Sequence, residues 1–557
     1  MVPIVVVLLA YLVIAPLLMS TLSSFRLTNG VLPFENGATW SLQNYATVLL
    51  NPDTYSVLFN TLVFSVGSLL IAFVLSIILA LLLERTDMPF RGAVFVLMIA
   101  SLGIPGVISA IAWVLLLNPT NGLVNLVVRS LLPHIQSGPL NIYSMAGLIF
   151  AQGLTLVPIT FLLITAAFRA MDATMEDAGL IAGASRLTVL RRITIPILAP
   201  ALVSAAIYQF INTVASFELP LVIGLQARIP LLSTVIFTET QGQNGLPNFG
   251  VASAYSMLLL AVTVAPLIYY ARLISRAERF ATISGRGYRP SRVKLGAWKG
   301  VALGFASIFT FVNFMLPVLV MLWTSVQPFY SAPSAESLRR VTLDAYGTLL
   351  VNPELKRAAL NTLIVGVATA LGTMALGSLV AWIIVRTRSR FRALLDVLSF
   401  LPAALPGVTI GLSILVFYLL VPGPVRLYGT VWIIVIGLVT QSISLAVRLM
   451  TGGIAQIERE LEEAGEVAGA SRRSNIWRIV LPLAFPVFRN GLLLVFMTSI
   501  SYLTVPLLLF TPGNEVLSTA LYNYWNVGDV AQTAALGVLM VAFTIPVSIA
   551  LRHFTEV

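Results

Sequence analysis

From residue 57 to residue 83 the chain reads VLFNTLVFSVGSLLIAFVLSIILALLL, 27 residues without a charged side chain. A helix rises 1.5 Å per residue, so this stretch can cross the ~30 Å hydrocarbon core of a bilayer. Uncharged stretches at 93–117, 301–326 and 428–447 read the same way. Over all 557 residues, 58% are hydrophobic and 10% charged, with a mean hydropathy of +0.95. Soluble chains carry roughly a quarter charged residues, so the composition is that of an integral membrane protein.

Twelve spans are expected, at 2–22, 57–83, 93–117, 142–168, 197–220, 251–274, 301–326, 358–385, 393–420, 428–447, 484–508 and 532–551. The first lacks a basic flank and a small-residue cleavage site, so it reads as a span rather than a signal peptide. Lys and Arg are retained on the cytoplasmic side. With both termini inside, 24 of the 33 fall in cytoplasmic segments. That asymmetry accounts for the net charge of +11 as orientation and leaves no need for nucleic acid as a partner. Cysteine is absent and the two histidines, His134 and His553, are far apart, so no metal site is expected.

The sequence repeats. Tyr45, Asn51-Pro52, Asn60-Thr61-Leu62, Arg85-Thr86, Phe90-Arg91 and Pro105-Gly106 recur 301 residues later, as Tyr346 through Pro406-Gly407. Gly183, Pro196, Pro200 and Pro220 recur 286 later, as Gly469, Pro482, Pro486 and Pro506. Six spans per repeat keep both halves in one orientation, so the expected fold is all-α, two parallel-repeated halves about an axis along the membrane normal. The halves are 1–274 and 301–557. Residues 275–300, with seven basic side chains, read as an exposed cytoplasmic linker within reach of anionic membrane lipid.

Two inside loops, within 169–200 and 450–486, carry the strongest signal. EDAGLIAGASR at 176–186 matches EEAGEVAGASR at 462–472, and 176–200 against 462–486 gives 12 identities in 25 positions. Each reads as a short helix, a stop at Gly183 or Gly469 in the left-handed conformation, and a second helix capped by Ser185 or Ser471 and ended by Pro196 or Pro482. Asp172 is a candidate cap of the first helix. The small residues let another surface approach the backbone closely.

This pattern resembles the EAA loop of ABC importer permeases. Glu176, Ala178, Gly183, Ile193 and Pro196 match in the first half; Glu462, Ala464, Gly469, Ile479, Leu481 and Pro482 match in the second. Asp177 and Glu463 replace an alanine, Ile195 a leucine, and Gly179 and Gly465 stand where a side chain is usual. The resemblance covers nearly the whole chain and is closest to the fused permeases of iron(III) importers, a layout shared by thiamine, 2-aminoethylphosphonate and related importers; those solutes, a polyamine or another small solute are the alternatives to iron(III). It implies the type I importer fold and a bacterial inner-membrane location. It also implies an external solute-binding protein, and two copies of a separate ATPase that hold ATP and Mg while this chain holds no cofactor. The coupling residues it points to are Glu176, Asp177, Ala178, Gly179, Ala182, Gly183, Ala184, Glu462, Glu463, Ala464, Gly465, Ala468, Gly469 and Ala470.

No GxxxxGK[ST] occurs, so no phosphate cradle for ATP is expected in this chain, and no catalytic constellation stands out. An ion-driven transporter is the rival class. It would usually place titratable groups near the midplane, which these spans lack. Polar residues in spans usually face the bundle interior. Gln209, Asn212, Ser216 and Glu218, with Thr498, Ser499 and Thr504 at or near the matched positions, are therefore candidates for the translocation path. Glu218 either meets a cation there, lies at the water interface or caps a neighbouring helix. Gly103, Pro105, Gly106, Pro402, Pro406 and Gly407 interrupt the third and ninth spans, as gate hinges or as packing kinks.

Overall fold

The computed structural model describes residues 2–28, 32–132, 138–171, 174–242, 247–277, 293–420 and 427–555. Asp172, His134 and most of the linker, 278–292, lie outside these residues.

Among the described residues, ten helices are long and apolar enough to cross a membrane: Val2–Ser24, Pro52–Arg85, Met145–Arg169, Leu190–Val214, Phe249–Tyr269, Gly296–Ser325, Pro353–Arg386, Val431–Ala455, Ile476–Ser501 and Val530–Val547. The third and ninth expected spans are not single helices. Arg91–Ser101 and Gly106–Leu117 meet at 103°, and Arg392–Ala404 and Gly407–Leu420 at 109°. Each arm is about 16–21 Å long at 1.5 Å per residue, too short to cross alone. The cause is local. Pro105 and Pro406 supply no N–H, and Pro105 and Leu405 have extended ψ of 140° and 126°. Carbonyls freed at the breaks find donors from the opposite half. Thr544 donates to Gly103 O, and Thr263 Oγ1 donates to Ala404 O at 3.4 Å. Non-helical backbone at membrane depth is tolerated where protein covers it in this way.

The repeat holds in detail. Asn51 and Asn352 each cap a 34-residue helix by accepting from the backbone N–H two residues on, both at 2.9 Å. Tyr45 bonds Ser24 and Tyr346 bonds Ser325, both at 2.7 Å. Five-residue π turns at Ala10–Ile14, Leu190–Thr194, Phe311–Met315 and Ile476–Val480 each precede a proline, whose missing N–H is absorbed by the wider turn. One two-stranded pairing, Arg26–Leu27 with Thr39–Trp40, is added outside the helices.

The halves interlock. Val5 and Leu9 of the first span are buried against Leu395, Leu398, Ile443 and Val447 of the second half. Met321, from the first span of the second half, packs with Ile104 and Ile108 of the first. Within halves, glycines bring helices together. A methyl at Gly377 would lie 2.6 Å from Ala446 Cβ and 3.1 Å from its backbone carbon, the close approach that small residues allow in membranes.

Residues 293–299 dock on the first half. Val293 pairs in parallel with Thr86, Leu295 N–H donates to Asp87 Oδ1 at 2.8 Å, and Lys299 pairs with Asp87 Oδ2 at 2.8 Å. The Leu295 N–H and then Lys299 hold the Asp87 carboxyl below its ordinary range.

Two outcomes are expected. Gly377→Val should wedge the spans apart, at about 1–3 kcal/mol, read as a lower melting temperature in detergent; an unchanged one would contradict the packing. Asp87→Asn should speed tryptic cleavage after Lys294. A depressed carboxyl contributes its attachment above its unfolded value and loses it as pH falls through the folded one. Cleavage of the wild-type chain, taken relative to a short unstructured peptide with the same site at each pH, should therefore not change between about pH 5 and about pH 8; a marked change in that ratio would exclude the clasp.

Candidate functional site

Both EAA-like loops fold as a short helix, a glycine stop and a second helix, but that second helix does not end at Pro196 or Pro482: it runs on through a π turn, which absorbs the proline's missing N–H, into Ile195–Val214 or Leu481–Ser501. The first has helices Thr174–Ile181 and Arg186–Val189, the second Arg459–Val467 and Arg472–Asn475. Gly183 and Gly469 stand between them at φ +86° and +85°. Ala184 N–H returns to Gly179 O at 3.1 Å and Ala470 N–H to Gly465 O at 2.9 Å, the six-to-one closure that ends a helix on a left-handed glycine. Ser185 and Ser471 accept from Thr188 and Ser474 N–H, both at 3.3 Å.

Gly179 and Gly465 have a specific role. A methyl on Gly179 would meet Ile193 Cδ1 at 2.6 Å, and one on Gly465 would meet Asn475 Oδ1 at 2.5 Å and Ile479 Cδ1 at 3.0 Å. At these positions the close surface is the chain's own following helix, not a partner. Ala178, Ala182, Ala464 and Ala468 are exposed, Ala184 and Ala470 half-buried.

The first carboxylate of each loop is anchored. Glu176 Oε2 pairs with Arg85 Nε at 3.2 Å, and Glu462 Oε1 with Arg386 Nε at 2.9 Å. These arginines end the matched 34-residue helices and are 7% and 6% exposed. Thr194 Oγ1 donates to Glu176 Oε1 at 2.7 Å; Arg386 also donates to Ile454 and Ile457 O at 3.2 and 2.5 Å. Asp177 is half-buried and Glu463 exposed. At the far end of each first helix an apolar side chain stands in the open: Ile181 at 87% and Val467 at 90% exposure. Their positions differ by 286, so the arrangement is duplicated.

Between the halves lies a cavity of about 540 Å³. Of the expected path residues, Asn212, Ser216, Glu218, Thr498 and Thr504 border it, and Gln209 and Ser499 do not. Gln209 donates to Thr160 Oγ1 at 2.7 Å in the packed interior, and Ser499 donates to Val495 O within its own helix at 2.7 Å. Helical spacing identified the right helices but not the face at each position. The cavity also has Gln152, Thr155, Tyr208, Gln441, Ser442, Ser444, Tyr502 and Arg448 on its wall. Gln152 and Gln441 were visible in the sequence as amides in otherwise apolar spans, and Thr155 and Gln441 are matched by the repeat.

Glu218 is half-buried on the cavity wall. It reaches across the seam, accepting from Leu503 N–H at 3.1 Å. Its other oxygen sits against Gly106, where a methyl would collide with it. That is the N-terminal turn of the arm Gly106–Leu117, where helix dipoles favour a negative charge. Glu218 thus borders the cavity and stands beside the N-terminus of a neighbouring helix. Among the described residues no group of three or more His, Cys, Asp or Glu is placed to hold a metal.

Comparison with known proteins places this geometry. The chain is 27% identical over 412 residues to the ferric transport system permease protein FbpB of Actinobacillus pleuropneumoniae, covering 72% of this chain and 57% of that protein. It is 24% identical over 519 residues, 92% of each, to the Fe(3+)-transport system permease protein FbpB 2 of Haemophilus influenzae. A protein named for 2-aminoethylphosphonate transport, PhnV of Salmonella typhimurium, is 26% identical over 253 residues, 45% of this chain and 92% of that one. The chain spans 57–58% of the length of two of its ferric-permease relatives. A family model matches residues 72–279 and again 353–556, once in each half. The chain belongs to the family of binding-protein-dependent transport system inner membrane components.

Proposed function

We propose that this chain is the membrane passage of an ATP-driven importer: an external binding protein delivers a solute to the cavity, and two copies of a separate ATPase, seated on the twin loops, drive its passage. One observation carries the reading. Two loops 286 residues apart present the same exposed apolar residue, Ile181 or Val467, each on a short helix tied through Glu176 or Glu462 to the end of a long span. An exposed apolar tip has a purpose when a partner's groove covers it. The ion pair gives that partner a handle on the bundle.

Iron(III) is the solute we assign, on the support of the ferric-transport relatives; 2-aminoethylphosphonate, named for another relative, is the alternative. Uptake into vesicles holding the whole assembly, with radiolabelled iron(III) or 2-aminoethylphosphonate on the delivering protein, decides between them. Uptake that continues without ATP would refute the importer reading.

Ile181→Asp combined with Val467→Asp should abolish copurification of the ATPase while expression and elution volume stay unchanged. Copurification at the wild-type level would remove the loops from the docking surface. Arg386→Ala should leave the Glu462 carboxylate without its cation, at about 3–5 kcal/mol for a fully buried pair and less here because Glu462 is 23% exposed. The ATPase should still bind, with its hydrolysis no longer coupled to uptake; coupled uptake at full rate would show that the anchor is dispensable.

A further inference from the structure

We propose that Glu218 makes the cavity selective for cations, and that its charge draws a cationic solute to the seam between the halves at the end away from the coupling loops. This rests on the reading of the cavity as the solute's route.

The carboxylate is uncompensated. Among the described residues, no Lys, Arg or His forms an ion pair with it. The groups that meet it, Leu503 N–H and the first turn of the Gly106 arm, offer partial charges; a helix end is worth roughly half an elementary charge. The one basic side chain on the cavity wall among the described residues, Arg448, already pairs with Asp396 at 3.1 Å and lies toward the coupling-loop end of its helix. The remaining polar wall is neutral, with oxygen donors such as Gln152, Thr155, Asn212 and Gln441. A half-buried carboxylate lacking a full counter-charge still loses part of its hydration, and a passing cation relieves that cost.

The repeat supplies an internal control. Thr504 is the counterpart of Glu218, and Gly407 of Gly106. A methyl on Gly407 would lie 3.6 Å from Thr504 Cγ2, so the same seat in the second half holds a neutral side chain. The seat folds without a charge. The charge in the first half therefore answers to what enters the cavity.

The chain has no cysteine, so Asn212→Cys, at an exposed cavity-wall position, gives a single reactive thiol. Labelling in nanodiscs with cationic 2-aminoethyl and anionic 2-sulfonatoethyl methanethiosulfonate, corrected for reaction with a free thiol, reads the local potential. The cationic reagent should be favoured by about tenfold. E218Q keeps the side chain's shape and its acceptance from Leu503 N–H, and should reduce the preference to near unity. T504E added to E218Q should restore it, which a merely structural role would not do. An unchanged preference in E218Q, or no labelling by either reagent, overturns the proposal. Labelling needs neither ATPase nor solute, so this failure is separate from a failure of ATP-dependent uptake.

Discussion

A guanidinium buried in the last turn of a membrane-spanning helix must be met by a carboxylate, and much of this architecture follows from meeting that demand twice. Arg85 and Arg386 sit where a helix C-terminus favours a cation, yet both are withdrawn from water and close on Glu176 and Glu462. Breaking such a pair strands a charge, so loop and span are held in fixed register. The spans behind them are 34 residues each, about 51 Å of continuous helix. Movement of the loop is therefore movement of a rod that reaches through the bilayer.

The bent helices complement those rods. A straight helix satisfies its own backbone; the breaks before Gly106 and Gly407 leave groups that only another element can serve. Thr544 and Thr263 serve them from opposite halves, and Leu503 N–H finds Glu218 across the same seam. The halves are thus joined by polar contacts at the breaks and by apolar packing of each first span on its neighbour. Polar contacts concentrated at the seam leave the cavity between them lined by side chains that can meet a solute.

The sequence made legible whatever local chemistry determines. Uncharged lengths located the long helices, a repeated proline and glycine pattern located the breaks, and Gly183 and Gly469 announced left-handed stops that the structure contains. What stayed hidden depends on partners distant in sequence. The glycines at 103 and 106 signal an interruption, but not that the freed carbonyls are met by donors from the other half. Gly179 looks like a space left for a partner until Ile193 is seen filling it. Gln209 and Asn212 are three residues apart on one helix, yet one bonds Thr160 and the other faces the cavity. Nothing in their own segment distinguishes them. The docking of residues 293–299 likewise needed Asp87, whose counterpart in the second half is Arg388.

Fusion of the two halves into one chain has a physical consequence at the seam. In an assembly of two identical subunits, a carboxylate at position 218 would face its own copy across the axis. Two like charges in a poorly solvated site disfavour ionisation of one of them, so the copies would hold less than two charges and share a proton. Here one seat carries Glu218 and the other Thr504, so a single carboxylate stands at the seam. The side that bears the two loops shows the same divergence: Glu84 pairs with Arg169 at 2.7 Å in the first half, where the second half has Val385 and Ala455. The fold keeps the repeat at the two anchored loops and relaxes it at the seam, where one seat holds a carboxylate and the other a neutral side chain.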